Sequence, residues 1–254
     1  MKKFTTILLL LVIGWMVGCS TTRVMQKGQT SSPDQKKKAL DYYLSGALYD
    51  FQDQYERALL EYIQALVYDS TSSQILKAIG RDFIRIRRYD SAIEYLKKAY
   101  RFNPTDKEIL YYLGEAYYNQ KDLSTSAFYF EKFLEQDPYN PTVYNNLAYL
   151  YSQMGELEKL IALREKQAEI TGYSDEVVQE LYRLFIRTKK LDRAENLLKK
   201  LIAEHPDHPG YWMLLGGLYQ VKNQLPQAIQ AFQKTLSLDP ENNQAVLQLY
   251  LIYR

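Results

Sequence analysis

The 254-residue sequence predicts an all-α solenoid, a stack of copies of one helical hairpin. The main observation is a 34-residue period: glycine recurs at Gly46, Gly80 and Gly114, and the same frame continues without insertion to Gly216. Three residues after each position of this column stands an aromatic residue: Tyr49, Phe83, Tyr117, Tyr151, Phe185 or Tyr219. A fixed period of this length is typical of stacked hairpins, which present an extended binding surface rather than a catalytic pocket.

The period divides most of the chain into six units. They cover 39–72, 73–106, 107–140, 141–174, 175–208 and 209–242. Small residues in the glycine column let the two helices of a hairpin approach closely, and the aromatic column fills the space between them. Residues 243–254 predict one more helix, which caps the apolar edge of the array or itself docks a partner or a second copy.

The fourth and fifth units depart from this pattern. Tyr182 stands in the glycine column of the fifth unit. In the fourth unit, Leu160, Arg164 and Gln167 replace small or apolar residues. We therefore expect the hairpin in this region to be splayed or offset.

The sixth unit shows which family the sequence resembles. It carries the residues Trp212, Leu215, Gly216, Tyr219, Ala228, Phe232 and Pro240. This pattern resembles the tetratricopeptide repeat. The resemblance implies a right-handed superhelix in which the first helix of each hairpin lines a concave face that binds peptides or proteins.

The N-terminal residues predict export and a lipid anchor. Residues 1–18 have a basic start and a short apolar run, as in a signal peptide, and the run is too short to span a bilayer. The Met16–Cys19 segment resembles a bacterial lipoprotein box, which implies lipidation of Cys19 and, through Ser20, the outer membrane. An uncleaved membrane anchor and an ordinary secreted protein are the alternatives. We expect 19–38 to be the lipidated cysteine and a flexible tether.

Composition excludes several function classes. The formal net charge is +2, and it falls to about zero once Lys2 and Lys3 are removed with the signal, which argues against nucleic acid. Cys19 is the only cysteine, so no internal disulfide can form. His205 and His208 lie in a proline-rich turn rather than in a metal-ligand pattern. We expect no enzyme activity, cofactor, metal or small-molecule substrate.

The binding residues are predicted on the concave face. The family places groove contacts at the second, fifth, ninth and twelfth positions of each first helix. Tyrosine offers broad contact area with few rotors, and cations pair with carboxylates. Each tyrosine could equally pack against the neighbouring unit, whereas three cations at one-turn spacing, Lys77, Arg81 and Arg85, are more than solubility alone requires. The predicted groove residues are Tyr43, Lys77, Arg81, Tyr111, Tyr118, Asn145, Tyr149 and Arg183.

Two functions remain open from the sequence. The first is a membrane-anchored periplasmic adaptor that binds an envelope protein or peptide in its groove and supports assembly of an envelope complex. Its layout resembles the pilotin-type lipoproteins of type IV pilus biogenesis. The second is an accessory scaffold subunit that tethers an envelope lipid or glycan enzyme through the convex face or the last helix.

Overall fold

The computed structural model describes residues 32–254, which form thirteen α-helices and no strand. Residues 1–31, including Cys19, lie outside the described part. The helices form six consecutive hairpins and one final helix. Their bounds are α1 Pro33–Phe51, α2 Tyr55–Tyr68, α3 Ser73–Arg85, α4 Tyr89–Phe102, α5 Lys107–Asn119, α6 Leu123–Gln136, α7 Pro141–Met154, α8 Leu157–Thr171, α9 Asp175–Arg187, α10 Leu191–Glu204, α11 Pro209–Val221, α12 Leu225–Leu238 and α13 Asn243–Tyr253. The predicted all-α solenoid is confirmed.

The first helix begins earlier than the sequence predicted. It starts at Pro33, within the segment 19–38 expected to be a tether. The reason is a capping box: the Ser32 hydroxyl accepts from the Gln35 N–H at 3.2 Å, and the Gln35 side chain accepts from the Ser32 N–H at 2.8 Å. Pro33 follows at the first helical position, where its missing N–H has no cost.

The later first helices begin where the 34-residue frame places them. Each of α3, α5, α7, α9, α11 and α13 starts at the first residue of its unit. A polar side chain caps five of these six starts, because its oxygen accepts an N–H that the first helical turn leaves unpaired. The five capping residues are Ser72, Asp106, Asn140, Ser174 and Asn242.

The glycine column sets the close approach within four hairpins. A Cβ added at Gly46 or Gly114 would lie 2.7 Å from the ring of Tyr62 or Phe130, on the second helix of the same hairpin. At Gly80 it would lie even closer to Leu96 Cγ. The sixth unit repeats this arrangement with Gly216 and Phe232. Only glycine leaves room for these side chains at such short backbone separation.

Units four and five are splayed, as expected from the sequence. The backbones of α7 and α8, and of α9 and α10, approach each other over a shorter length than in the other four hairpins. Ala148 replaces glycine in the fourth unit, and the residue opposite it in the frame is Arg164, which is buried. Tyr182 turns toward the next unit, because its hydroxyl lies 3.1 Å from where a Cβ of Gly217 would be.

Candidate functional site

Two neighbouring clefts lie along the first helices of units two, three and four. The first, of about 440 Å³, has Arg81, Arg85 and Tyr112 in its wall, and the second, of about 480 Å³, has Tyr118 and Tyr149. Tyr111 and Glu115 of α5 line both clefts, so the two form one continuous surface. We call this surface the central groove. Its residues are Arg81, Ile84, Arg85, Lys107, Glu108, Tyr111, Tyr112, Glu115, Tyr118, Asn119, Phe130, Phe133, Asn140, Asn145, Asn146, Tyr149 and Leu150.

Lys77, predicted as a groove cation, connects two units instead. Its ammonium lies 2.9 Å from Asp106 Oδ2 and 2.5 Å from Glu108 Oε2, both in unit three or its cap. Burial opposes the charged form of Lys77, but the hydrogen bonds to Glu108 and Asp106 outweigh it and raise its pKa. Both carboxylates would have to be displaced before Lys77 could meet a ligand.

Arg81 is engaged in the same way between units one and two. Its guanidinium pairs with Asp50 of α1, and its Nε and Nη2 donate to Asp82 Oδ1 at 3.1 Å. Asp82 is fully buried, and its second oxygen, Oδ2, has no hydrogen-bond partner among the described residues. Desolvation raises the pKa of Asp82 to about 7, although the charge of Arg81 opposes the shift. Arg81 therefore holds the fold together here.

Arg85 is the groove cation that forms no ion pair within the described residues, whereas the exposed Lys107 pairs with Asp137 at 2.8 Å. It is exposed at the end of α3, and no carboxylate of residues 32–254 lies within ion-pair distance of it. Across the cleft stands Glu115, which is half-buried. Desolvation raises the pKa of Glu115, and the charge of Arg85 partly opposes this. Arg85 can therefore meet a carboxylate from outside without breaking an internal ion pair.

The four predicted tyrosines fall into two kinds. Tyr118 and Tyr149 are 40% and 50% exposed, and their rings meet edge to face with centroids 6.1 Å apart. A hydrogen bond with Tyr149 raises the pKa of Tyr118. By contrast, Tyr111 is half-buried against Phe130 and Phe133, and Tyr43 packs on the Tyr62 ring at 5.4 Å. Tyr118 and Tyr149 thus provide the open aromatic surface, while the other two mainly pack.

Asn145 borders the groove and also belongs to a buried polar network. Its Oδ1 accepts from Arg164 Nη1 at 3.1 Å, and the same nitrogen donates to Gln167 Oε1 at 2.7 Å. Arg164 Nε lies 2.7 Å from Glu180 Oε2 of α9. Arg164 therefore joins α7, α8 and α9 at the splayed units, and it fixes the orientation of the Asn145 amide at the end of the groove.

Arg183 does not belong to the central groove. It lines a separate cleft of about 450 Å³ between α9, α11 and α13. This cleft contains Tyr182 and several amide side chains, including Gln220 and Gln248. The concave residues predicted as one set are thus divided between two clefts.

Four polar or aromatic groove residues directly follow a position used for the prediction without being at such a position themselves. Tyr112 and Asn146 occupy the sixth position of their units, and Arg85 and Asn119 the thirteenth. Each directly follows a predicted groove position, the fifth or the twelfth. A helix surface facing a cleft is wide enough to include both neighbours. The sequence could therefore have indicated these residues, because polar or aromatic residues stand at positions six and thirteen of the units.

Two absences concern the described residues 32–254. None of the helices there is long and apolar enough to cross a membrane. Within the same range, no group of three or more histidine, cysteine, aspartate or glutamate residues is placed to hold a metal ion.

Solved structures of several helical-repeat proteins have a similar fold. The complex of Naa15 and Naa10 bound to HypK-THB aligns with a TM-score of 0.65 at 14% identity, covering 83% of this chain and 33% of that one. MamA aligns with a TM-score of 0.50 at 19% identity over 82% of this chain and 95% of its own. The structure of pilF of Pseudomonas aeruginosa aligns with a TM-score of 0.48 at 18% identity, over 87% of this chain and 100% of its own.

Family models identify the repeat directly in the sequence. One tetratricopeptide repeat model matches residues 77–141 and 181–243, and a second matches 129–162. No curated protein sequence matches. The first model alone covers half of the chain, and its matches fall on the helical hairpins described above. The chain belongs to the tetratricopeptide repeat family.

Proposed function

We propose that this protein is an exported, lipid-anchored adaptor that binds an extended segment of an envelope protein in its central groove. The observation that carries the proposal is the combination of an exposed cation without an internal ion pair, Arg85, with an open aromatic pair, Tyr118 and Tyr149, along one continuous surface. In this role the protein acts as a binding module that supports assembly of a larger complex, and it carries out no chemistry itself.

The chemistry of the groove favours a peptide that carries a carboxylate. Arg85 can form a charge-assisted pair with an acidic side chain or a chain end. The Tyr118 and Tyr149 rings offer flat apolar area at low entropic cost. Between and beyond them, the amides of Asn119 and Asn146 can donate to and accept from an extended peptide backbone. The ligand would thus be fixed by its backbone, by one charge and by aromatic contact.

The N-terminal sequence supports the anchored location. The apolar run before Cys19 and the small residues directly preceding it suit export followed by lipidation. Two or more acyl chains on Cys19 would give stable attachment, and Ser20 favours the outer membrane, with the repeats facing the periplasm. Mass spectrometry of the protein purified from membranes tests this: we expect a diacylated or triacylated Cys19 as the first residue. Release of the protein into the soluble fraction with Met1 retained would contradict it.

The groove is tested with charged peptides and matched variants. An array of short peptides that differ in acidic, basic and aromatic content is probed with the protein beginning at Ser20. We expect acidic peptides with an extended backbone to bind, and the double variant Arg85→Glu, Tyr149→Ala to lose at least about tenfold in affinity, the equivalent of about 1.4 kcal/mol.

The control for this experiment changes the same residue types elsewhere. Arg101 on α4 and Tyr139 in the turn before α7 are both exposed and line neither cleft of the central groove. The double variant Arg101→Glu, Tyr139→Ala should bind like the wild type. Equal losses in the two double variants, or no loss in the groove variant, would remove the central groove from the proposal.

A second candidate function uses the convex face. Leu60, Ile63 and Val67 form an exposed apolar stripe on α2. At the same positions of the next unit stand Glu94, Lys97 and Arg101, so the stripe is not a general property of second helices in this chain. It fits an accessory subunit that holds an envelope enzyme through this face. Loss of a native complex in Leu60→Glu, Val67→Glu, with groove variants intact, would favour this function over the first.

A further inference from the structure

Both ends of the solenoid expose apolar helix faces. At the N-terminal end, α1 presents Leu40, Leu44, Leu48 and Phe51, which are all more than half exposed. They lie at intervals of four, four and three residues and therefore on one side of the helix. Terminal units of a repeat array ordinarily need a polar outer face for solubility. We call this set the head stripe.

The repeat frame shows what would cover the head stripe. Leu48 occupies the tenth position of its unit, and that position is buried in all five later units. In those units the tenth residue faces the preceding hairpin. Asp82, for example, lies at the Arg81–Asp50 pair that joins units one and two. Leu48 has no preceding hairpin within residues 32–254 and is 59% exposed. Leu48 therefore lies on the face that the frame packs against a preceding hairpin, and Leu40, Leu44 and Phe51 lie beside it on the same side of α1. The residues buried at the tenth position are Asp82, Ala116, Leu150, Leu184 and Leu218.

At the other end, α13 exposes a matching face. It stands where a seventh unit would place its first helix, with Tyr250 in the glycine column and Tyr253 in the aromatic column. In the complete units these two columns face the second helix of the same hairpin, as the Gly216–Phe232 contact shows. In α13 they are 59% and 66% exposed. Val246, Leu247 and Leu251 are exposed beside them. We call these five residues the tail face.

We propose that the protein associates head to tail with a second copy of itself, the head stripe of one copy lying against the tail face of the next. Each face is on one helix and consists of four or five large apolar side chains. With roughly 150–200 Å² for each large side chain when fully exposed, each face presents on the order of 400–500 Å² of apolar surface. Complete burial of both faces would remove on the order of 800–1,000 Å² from water, which is at the lower limit for a specific interface.

The two faces favour this pairing over a symmetric one. A head-to-head dimer would leave the tail face in water, and a tail-to-tail dimer would leave the head stripe in water. The head-to-tail contact is the single kind of contact that covers both faces. Such a heterologous contact does not close on itself in a dimer, so it extends to longer chains or closes as a ring. Its assembly does not depend on a ligand in the central groove.

The test uses two variants that each disable one face. The protein beginning at Ser20 retains every residue described in the structure and lacks the apolar N-terminal run. The head variant is Leu44→Glu, Leu48→Glu and the tail variant is Tyr250→Glu, Tyr253→Glu. We expect the wild type to rise in average mass with concentration in light scattering and sedimentation, beyond the mass of a dimer. Each variant alone should remain a monomer.

Mixing the two variants gives the decisive result. The head variant keeps an intact tail face, and the tail variant keeps an intact head stripe. An equimolar mixture should therefore form one-to-one dimers and stop there. As a control, Leu60→Glu, Val67→Glu alters equally exposed side chains on the convex face and should assemble like the wild type.

Three outcomes would overturn the proposal. These are a wild type that stays monomeric at all concentrations, a head variant that still self-associates, and a tail variant that still self-associates. Circular dichroism checks that each variant is folded. If Leu48→Glu disturbs folding, Phe51→Glu alone replaces it, because that side chain is 87% exposed. An assembly defect in Phe51→Glu with unchanged helicity supports the proposal, and assembly equal to the wild type contradicts it.

Discussion

The junction of units one and two and the splayed region of units four and five both bury a charged side chain, but in different surroundings. In the first, Asp82 is enclosed by closely packed hairpins, and one of its oxygens has no partner among the described residues. In the second, the helices of the hairpins stand apart, and Arg164 reaches Asn145, Gln167 and Glu180. The wider hairpin thus gives a buried charge polar partners on three helices, although Arg164 Nε, like Asp82 Oδ2, has no hydrogen bond among the described residues and meets Glu180 only as an ion pair.

This difference separates two roles within one fold. The close hairpins give a rigid array in which Lys77 and Arg81 link neighbouring units rather than a ligand. The wider fourth unit has room for long polar side chains, and these end the central groove at Asn145. Arg183 lies beyond this point, in the separate cleft between α9, α11 and α13. The irregular units therefore divide the concave face into two binding regions.

The largest expected effect concerns pH and the enclosed carboxylate. The pKa of Asp82 is about 7 in the folded protein, against an ordinary value of 3.8. Between these values the folded protein holds a proton that the unfolded chain releases. The free energy of unfolding should therefore fall as pH rises from about 4 to about 7, by up to about 4 kcal/mol, and level off above that. Urea unfolding at a series of pH values measures this.

The isosteric variant isolates the contribution of Asp82. Asp82→Asn keeps the shape of the protonated form and cannot ionise, so the difference between wild type and variant should grow with pH over this window. The pKa of Glu195 is lowered from 4.5 to about 2, so its contribution to the free energy of unfolding is lost only as pH falls through that range. This contribution is the same in both proteins and cancels in the comparison. Parallel pH profiles for the two proteins would show that Asp82 does not titrate in this range.

The two buried arginine contacts should differ in cost when each arginine is removed. Arg81→Ala leaves Asp82 without a cation in a fully buried site, so we expect a loss of about 3 kcal/mol at pH 8. Arg164→Ala leaves the exposed Asn145 and the partly exposed Glu180 to water, and the one buried partner that it leaves unpaired, Gln167, is a neutral amide. Its cost should be nearer 1 kcal/mol. Chemical denaturation compares them directly, and a larger loss for Arg164→Ala would reverse the interpretation of the two regions.

Much of this architecture was predictable from the sequence because it depends on a repeated spacing. The glycine column sets the close contacts, and Tyr182 and Arg164 mark the splayed units. The early start of α1 at Pro33 follows from Ser32 and Gln35, a local capping signal in a segment whose overall composition is polar. The 34-residue frame could also have indicated Arg85 as a groove residue, because it directly follows the twelfth position of its unit.

The partners of the groove cations were not predictable. Lys77 and Arg81 occupy the expected face, but their acidic partners on the neighbouring units and their caps are 29 to 31 residues away in sequence, at positions that carry no repeating charge pattern. Which tyrosines remain open is likewise decided by the aromatic rings packed around them. Tyr111 meets Phe130 and Phe133, while Tyr149 meets only the edge of Tyr118 in the aromatic contacts of the described chain.

The smallest effect compares a close hairpin with a helical glycine that has more room. Gly80→Ala places a methyl group against Leu96 and within 3.3 Å of the Ala92 carbonyl oxygen, so the hairpin must widen or Leu96 must move. We expect the free energy of unfolding to fall by about 2 kcal/mol, despite the better helix propensity of alanine.

Gly217→Ala, also within a first helix, meets only the Tyr182 hydroxyl at 3.1 Å, at the end of a side chain. Its stability should stay within about 1 kcal/mol of the wild type, because the gain in propensity offsets a small shift of that ring. Thermal unfolding of the two variants provides the measurement. An equal loss of stability in both would mean that the close contact between the glycine column and the second helix does not set the width of the hairpin.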